Sequence, residues 1–373
     1  MKYFFIVGEA SGDLHASYLI KSIKTQDHEA DVVGWGGDLM EAEGMKLLHH
    51  YKDSAFMGFV EVLQNLSTIK RNFAICKSDI LEYCPDVLIL VDYAGFNLKM
   101  AAFAKQNGIK VFYYIAPKTW AWKENRVKSL RKNVDQLYVI FPFEKDYFST
   151  FHIPTYYLGN PLMDELDFEK TELEKETFFK RNNLDNRPMI ALIPGSRNQE
   201  IQNLLPVMLS VTDHYPDYQF VIAGAPGQTE AIYQPIVKEK KIPVIFNQGK
   251  EIMKYASAAL ITSGTATLEA ALFKLPHVIC YKGNPITIFI GRLLIRSIKF
   301  IGLTNLVMDK SVNAELIQKE VNKDNLIAHL NRLLFDKDCQ EQLKDDYEQL
   351  HQKMGTPGAS QRIARHMIEA LQK

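Results

Sequence analysis

Short apolar runs alternate with longer amphipathic stretches along the whole chain. Residues 3–7, 87–91, 111–115 and 136–140 form a first series of runs. Each is short, continuous and followed by turn residues, which predicts strands buried on both faces of a parallel sheet. Residues 189–193, 219–223, 243–246, 258–262 and 277–281 form a second series. Between the two lies 164–188, charged and strand-free and closed by Asn-Arg-Pro, which reads as a domain join plus a helix. Two alternating series with a break predict an α/β chain of two doubly wound, Rossmann-like sheets facing a cleft. The expected limits are 1–165 for the first domain and 166–350 for the second, with a last helix over 351–373 introduced by Gly355-Thr356-Pro357-Gly358. No solenoid-length repeat or low-complexity tract interrupts this pattern.

Composition narrows the picture. With 47% hydrophobic and 24% charged residues in 373, the chain is ordinary for a globular protein and long enough for two cores. Lys plus Arg and Asp plus Glu are both 44, so no global field favours nucleic acid or a membrane. The four cysteines lack metal-ligand spacing and suit a reduced, cytoplasmic protein. The apolar start is too short for a signal peptide, and no run approaches the ~20 residues of a spanning helix.

Chemistry is expected just after the strands, because open α/β sheets bind ligands at the carboxyl ends of their strands. After the first strand comes Gly8-Glu9-Ala10-Ser11-Gly12-Asp13, a tight turn into a helix that lacks the GxGxxG of dinucleotide sites. After 87–91 comes Asp92-Tyr93-Ala94-Gly95-Phe96-Asn97, where Asp92 is either a general base or a helix cap. Trp120 and Trp122 share the next loop, suited to stacking on a sugar or to closing the core. In the second series, Pro194-Gly195-Ser196-Arg197 offers a close backbone approach, a capping Ser196 and the planar fork of Arg197. Ser263-Gly264-Thr265-Ala266-Thr267-Leu268-Glu269 opens a helix with small residues, an anion site for a diphosphate, with Glu269 one turn inside and suited to a ribose diol. Either loop alone is explained by helix capping; two at strand ends of one domain point to a nucleotide diphosphate. No Walker A motif is present, which disfavours phosphoryl transfer. Asp336 and Asp338 mimic a metal-binding pair but sit in a polar helical stretch, so neither metal nor cofactor is expected. Gly34-Trp35-Gly36-Gly37 reads as a further turn after a strand.

Two segments are basic and amphipathic. In 285–302, Ile286, Phe289, Ile290, Leu293 and Leu294 follow helical spacing, with Arg292, Arg296 and Lys299 on another face. Residues 56–71 are similar. Such helices lie on an anionic membrane surface or simply face a core.

Taken together, several of these stretches resemble the lipid-A-disaccharide synthase family. The resemblance rests on Gly8–Asp13, Met57-Gly58-Phe59 with Glu61-Val62, Pro117 with Trp120-Ala121-Trp122, Pro142-Phe143-Glu144 and Gly159-Asn160-Pro161. It continues through Pro194–Arg197, Ser263–Glu269, Leu303-Thr304-Asn305-Leu306 and Glu315-Leu316 with Gln318, in order along nearly the whole chain. It implies a GT-B fold whose last helix returns to the first domain. It also implies metal-independent, inverting transfer of a diacylated glucosamine from UDP onto diacylglucosamine 1-phosphate, giving a β-1,6 disaccharide. The same resemblance implies peripheral attachment to the anionic cytoplasmic face of the inner membrane, with oligomerisation left open. Ser196, Arg197, Gly264, Thr265, Thr267, Glu269, Asn305 and Gln318 become donor-side candidates. Glu9, Ser11, Asp13, Asp92 and Asn97 become acceptor-side or catalytic candidates, Asp92 and Arg197 being the catalytic pair. The chain departs from the family's Asp-x-Pro-Asp-Phe-Asn, having Ala94 and Gly95 where many members carry Pro and a second Asp. The base role therefore passes to Asp92, or to Glu9 or Asp13. A soluble UDP-N-acetylglucosamine 2-epimerase and a non-catalytic nucleotide-sugar-binding protein are the competing readings.

Overall fold

A computed structural model describes residues 1–53, 66–117, 124–166, 175–283 and 299–372. The chain divides into two compact units, Met1–Glu165 with Met354–Lys373, and Leu166–Lys353.

The first unit is built on a seven-stranded sheet of β1 (Lys2–Val7), β2 (Asp31–Gly36), β3 (Lys46–His50), β4 (Val87–Val91), β5 (Lys110–Tyr114), β6 (Gln136–Tyr138) and β7 (Thr155–Tyr156), in the order 3-2-1-4-5-6-7. Its strand pairs are parallel. The continuous apolar runs follow from cover on both faces. Tyr3, Phe5 and Val7 enter one buried cluster, with Val87, Ile89, Phe112 and Tyr114. Phe4 and Ile6 enter another, with Leu88, Leu90, Val111 and Tyr113. The last helix, Ala359–Gln372, belongs to this unit, where its Ile363, Ala364 and Met367 pack with Leu19, Ile20 and Ile23. Its start is held by Asp164, whose carboxylate accepts the N–H groups of Gly358, Ala359 and Ser360 at 2.6, 3.0 and 2.7 Å.

The second unit holds β8 (Met189–Ile193), β9 (Gln219–Gly224), β10 (Val244–Phe246), β11 (Ala256–Thr262), β12 (His277–Tyr281) and β13 (Glu315–Ile317), again paired parallel, in the order 10-9-8-11-12-13. Met189, Ala191, Ile193, Ala259 and Ile261 pack against Phe178, Phe179, Ile252 and Leu275.

Three expectations are corrected. Gly34 and Gly36 lie inside β2, not in a turn after a strand; a Cβ at Gly34 would press on the backbone of Phe5 in the neighbouring strand. β3, β7 and β13 were not anticipated, because β3 is half-exposed and the other two are only 2 and 3 residues long. Asp336 is not merely solvated, since its Oδ1 accepts the N–H of Cys339 at 3.1 Å and so caps the helix Lys337–Met354. Among the described residues no helix is long and apolar enough to cross a membrane. The amphipathic stretch at 284–298, the first part of the other at 54–65, and the Trp120–Trp122 loop lie outside the described residues. Lys299 is described, and its Nζ lies 3.3 Å from Asp309.

One buried titratable group links the second core to pH. His277 is fully buried, its Nδ1 donates to the Leu275 carbonyl at 2.8 Å, and Tyr347 stacks on its ring. Burial lowers its pKa to about 4, against 6.5 in an open chain. The unfolded state therefore takes up a proton first. The stability from neutral His277 is complete above pH 6.5 and is lost progressively as pH falls towards 4, by about 3 kcal/mol in all. Urea unfolding midpoints across pH 7 to 4 should fall more steeply for the native chain than for His277→Gln; equal slopes would mean another group controls acid stability.

Candidate active site

In both sheets the chain reverses direction beside its first strand. β1 lies between β2 and β4, and β8 lies between β9 and β11. Two loops that leave in opposite directions at such a switch point open a crevice at the carboxyl edge. In the first unit these loops are 8–13 and 92–97. In the second they are 194–197 and 263–269. The candidate residues at 9–13, 92–97, 196–197 and 264–269 thus fall at the switch point of their own sheet.

In the first unit the two loops touch. The Tyr93 ring covers Gly8 so closely that a Cβ there would collide with it. Tyr93 stacks on Phe96, with ring centroids 5.5 Å apart, and Phe96 stacks on Phe73 at 4.3 Å. Burial, and then the charge of the Glu9 carboxylate, raise the Tyr93 phenol above its ordinary pKa. Ser11 is exposed and Asp92 half-buried. Asp92 and Tyr93 both have left-handed backbone, with φ of 43° and 45°. Such a conformation costs on the order of 1–2 kcal/mol per non-glycine residue. The turn persists because its polar atoms are held. The Asp92 N–H donates to Tyr114 at 3.2 Å, and its carbonyl accepts from Asn97 Nδ2 at 2.9 Å and from the Tyr113 hydroxyl.

Two acceptor-side candidates are buried and hold backbone of their own unit. Asp13 is 3% exposed, and its oxygens accept the N–H groups of Leu39 and Met40, both at 3.2 Å, at the start of the helix Asp38–Ala42. Asn97 is fully buried, with Nδ2 reaching the carbonyls of Ile6, Val91 and Asp92. Asp13 is thereby a poor substitute for the missing second carboxylate, because its charge is already shared between two backbone donors.

In the second unit, Gly195 has φ of 107° and the Glu200 side chain fills the place of a Cβ. Ser196 does not cap the following helix. Glu200 does so, its Oε2 accepting the N–H groups of Ser196 and Arg197 at 3.2 and 3.3 Å. Arg197 is the N-cap of the helix Asn198–Leu209, 79% exposed and 3.4 Å from Glu200. Gly264 and Thr265 are exposed at the start of the helix Thr265–Leu272, which has no side-chain cap. Glu269 is half-buried one turn in.

The remaining donor-side candidates also make hydrogen bonds within their own unit. Thr267 is fully buried, its hydroxyl donating to the Gly264 carbonyl at 2.8 Å. Asn305 is fully buried, with Nδ2 on Asn313 and Glu315 and Oδ1 accepting from Val312 and Asn313. Gln318 makes a two-way amide pair with Gly283, at 3.0 Å each way. Thr267 and Asn305 are thus both buried and hydrogen-bonded inside their own unit. Sequence reasoning passed over Glu200 and Tyr113. Glu200 had a signal, an acid three residues after a helix start; Tyr113 sits in a buried run that hides its hydroxyl.

The fold and the loops define a class. A UDP-GlcNAc 2-epimerase from Neisseria meningitidis, solved bound to UDP-GlcNAc, shares the fold over 99% of this chain and 100% of its own, with a TM-score of 0.67 at 14% identity. A ugt transferase from Siraitia grosvenorii, solved in complex with UDP, shares it over the whole of both chains at 0.59 and 12%. The architecture is therefore the GT-B type common to glycosyltransferases and such epimerases. Sequence is more particular. The profile of the lipid-A-disaccharide synthetase family matches residues 3–366. The lipid-A-disaccharide synthase of Geobacter sulfurreducens is 35% identical over 100% of this chain and 98% of its own, and that of Coxiella burnetii strain Dugway 34% over 96% of each. The chain belongs to the lipid-A-disaccharide synthase family, and is a glycosyltransferase of lipid A disaccharide synthesis.

Gly195 gives the first test of the second-unit loop. Gly195→Ala must strain the backbone and displace Glu200, which costs about 1–3 kcal/mol. A lowered melting temperature with a parallel loss of activity is expected. Native stability and turnover would show that neither the positive φ nor the Glu200 contact is needed.

Proposed function

We propose that the chain transfers 2,3-diacylglucosamine from UDP onto 2,3-diacylglucosamine 1-phosphate, inverting the anomeric centre and releasing UDP and the β-1,6-linked disaccharide 1-phosphate. The reading is carried by one observation: the loops that match the family pattern lie at the switch point of each sheet. The first unit takes the acceptor and the second the donor. Arg197 and the uncapped helix start at Gly264–Thr265 meet the diphosphate, and Ser196 and Glu269 complete the nucleotide side. Glu269 accepts hydrogen bonds from the ribose hydroxyls. Asp92 removes the proton from the acceptor hydroxyl, with Glu9 and Ser11 lining the acceptor side. The acylated substrates place the work at the cytoplasmic face of the inner membrane. No metal takes part, since a guanidinium and helix N–H groups balance the diphosphate charge.

The direct test is incubation of UDP-diacylglucosamine with diacylglucosamine 1-phosphate, followed by detection of UDP and of an acylated disaccharide. UDP-N-acetylglucosamine epimerised without transfer would favour the epimerase reading.

Arg197→Ala supplies the residue-level test. Negative charge grows on the diphosphate as UDP leaves, and removing one preorganised stabiliser of this kind costs ~10²–10³ in rate. The side chain is exposed and its loss should leave the fold intact. Near-normal turnover would remove Arg197 from the site.

A further inference from the structure

We infer that Tyr113 is a positioning residue for Asp92, its hydroxyl fixing the strained turn that presents this carboxylate. The inference rests on the proposed role of Asp92 as general base and adds a residue to it.

Tyr113 lies on β5, beside β4, and its side chain is fully buried among apolar neighbours such as Leu90, Phe96 and Met100. A phenylalanine would satisfy that packing. The hydroxyl must therefore be accounted for by what it touches, because a buried polar group without a partner is costly. What it touches is the carbonyl oxygen of Asp92. That oxygen belongs to the first of two consecutive left-handed residues, Asp92 and Tyr93. Asn97 Nδ2 donates to the same oxygen at 2.9 Å but is shared with the carbonyls of Val91 and Ile6, at 3.1 and 3.3 Å. The Tyr113 hydroxyl donates to that oxygen, and its own oxygen is linked to the Asn97 side chain. It also comes from a different element. Asn97 travels with the helix Ala94–Gln106, whereas Tyr113 ties the turn to the next strand of the sheet.

Burial, followed by the Asp92 charge, pushes the Tyr113 phenol well above its ordinary pKa, so it stays a protonated donor at working pH. The Asp92 carboxylate is thus close enough for its charge to be felt at the Tyr113 hydroxyl, although the hydrogen bond itself goes to the backbone. Tyr113 acts on the direction of the base and takes no proton itself. Without it the Asp92–Tyr93 peptide is free to relax towards ordinary backbone angles, and the carboxylate moves off the line to the acceptor hydroxyl.

The test is a double-mutant cycle on the transfer reaction. Tyr113→Phe deletes one oxygen, and kcat should fall roughly tenfold to hundredfold, as small misplacements of a catalytic group do, with both KM values unchanged and the melting curve near native. In the Asp92→Asn background, Tyr113→Phe should cause no further loss. p-Aminophenylalanine at 113, which keeps a donor in the same place, should restore most of kcat. Should Tyr113→Phe fail to fold, p-aminophenylalanine against p-methylphenylalanine gives the same comparison at matched size. Full kcat in Tyr113→Phe alongside a dead Asp92→Asn overturns the inference and leaves the base assignment standing. A loss seen mainly in KM, or one undiminished in the Asp92→Asn background, makes Tyr113 a general structural residue. Near-native turnover of Asp92→Asn removes the base assignment itself.

Discussion

Parallel pairing within each sheet is the constraint on which the rest depends. Each strand must be followed by a crossover, so each carboxyl end delivers a loop to the same edge of its sheet. The strand order then selects two of those loops. β1 with β4, and β8 with β11, are the neighbours whose crossovers leave in opposite directions. Residues as far apart in sequence as Gly8 and Tyr93 are brought into contact by this order alone. A loop in such a fold needs no special scaffold to reach the crevice of its own sheet, only its place after one of these strands.

Two of those strand ends carry positive-φ backbone, and at Asp92 and Tyr93 it is adopted by residues other than glycine. Asp92, Tyr93 and Gly195 all depart from ordinary β or helical angles. Much of the polar chemistry nearby is consequently devoted to holding them. Asn97 and Tyr113 hold Asp92, Glu200 holds Ser196 and Arg197, and Thr267 and Asn305 tie their own loops from inside. Residues that look like binding groups by type therefore divide into presenters and holders. The division follows burial: Ser11, Arg197, Gly264 and Thr265 are exposed, whereas Asp13, Asn97, Thr267 and Asn305 are not.

That division also marks what could be read from the sequence. Strands β4, β8 and β12 were legible to the residue, because an apolar run buried on both faces ends sharply where the loop begins. Edge strand β3 was not, since half-exposed positions carry Lys46, His49 and His50 and break the run. The loops were found because Gly, Ser, Thr and a single charge at a strand end are a distinctive composition. Which of their side chains turn inward was hidden. An asparagine that caps a neighbouring backbone and one that meets a sugar are the same letter, and only packing separates them. Tyr113 shows the limit most clearly, for nothing in a run of Val-Phe-Tyr-Tyr marks one hydroxyl as bonded to a carbonyl in the turn after the neighbouring strand.

The departure at Gly95 follows from the same geometry. A glycine is expected where a side chain cannot fit or where φ is positive, and neither applies here. The position is exposed, lies in the first turn of the helix Ala94–Gln106, and a Cβ there would meet nothing within 4 Å. Packing therefore does not demand the loss of the second carboxylate that many family members resemble one another in having. The fold tolerates either residue, so the difference bears on the chemistry and not on the architecture. With Asp13 engaged by two backbone donors, Asp92 and Glu9 are the two candidate acids that remain. The Asp92 main chain is anchored both to the following helix, through Asn97, and to the adjoining strand, through Tyr113 and Tyr114. The proposed base must hold its direction through turnover, and these two anchors fix the main chain that carries the Asp92 carboxylate.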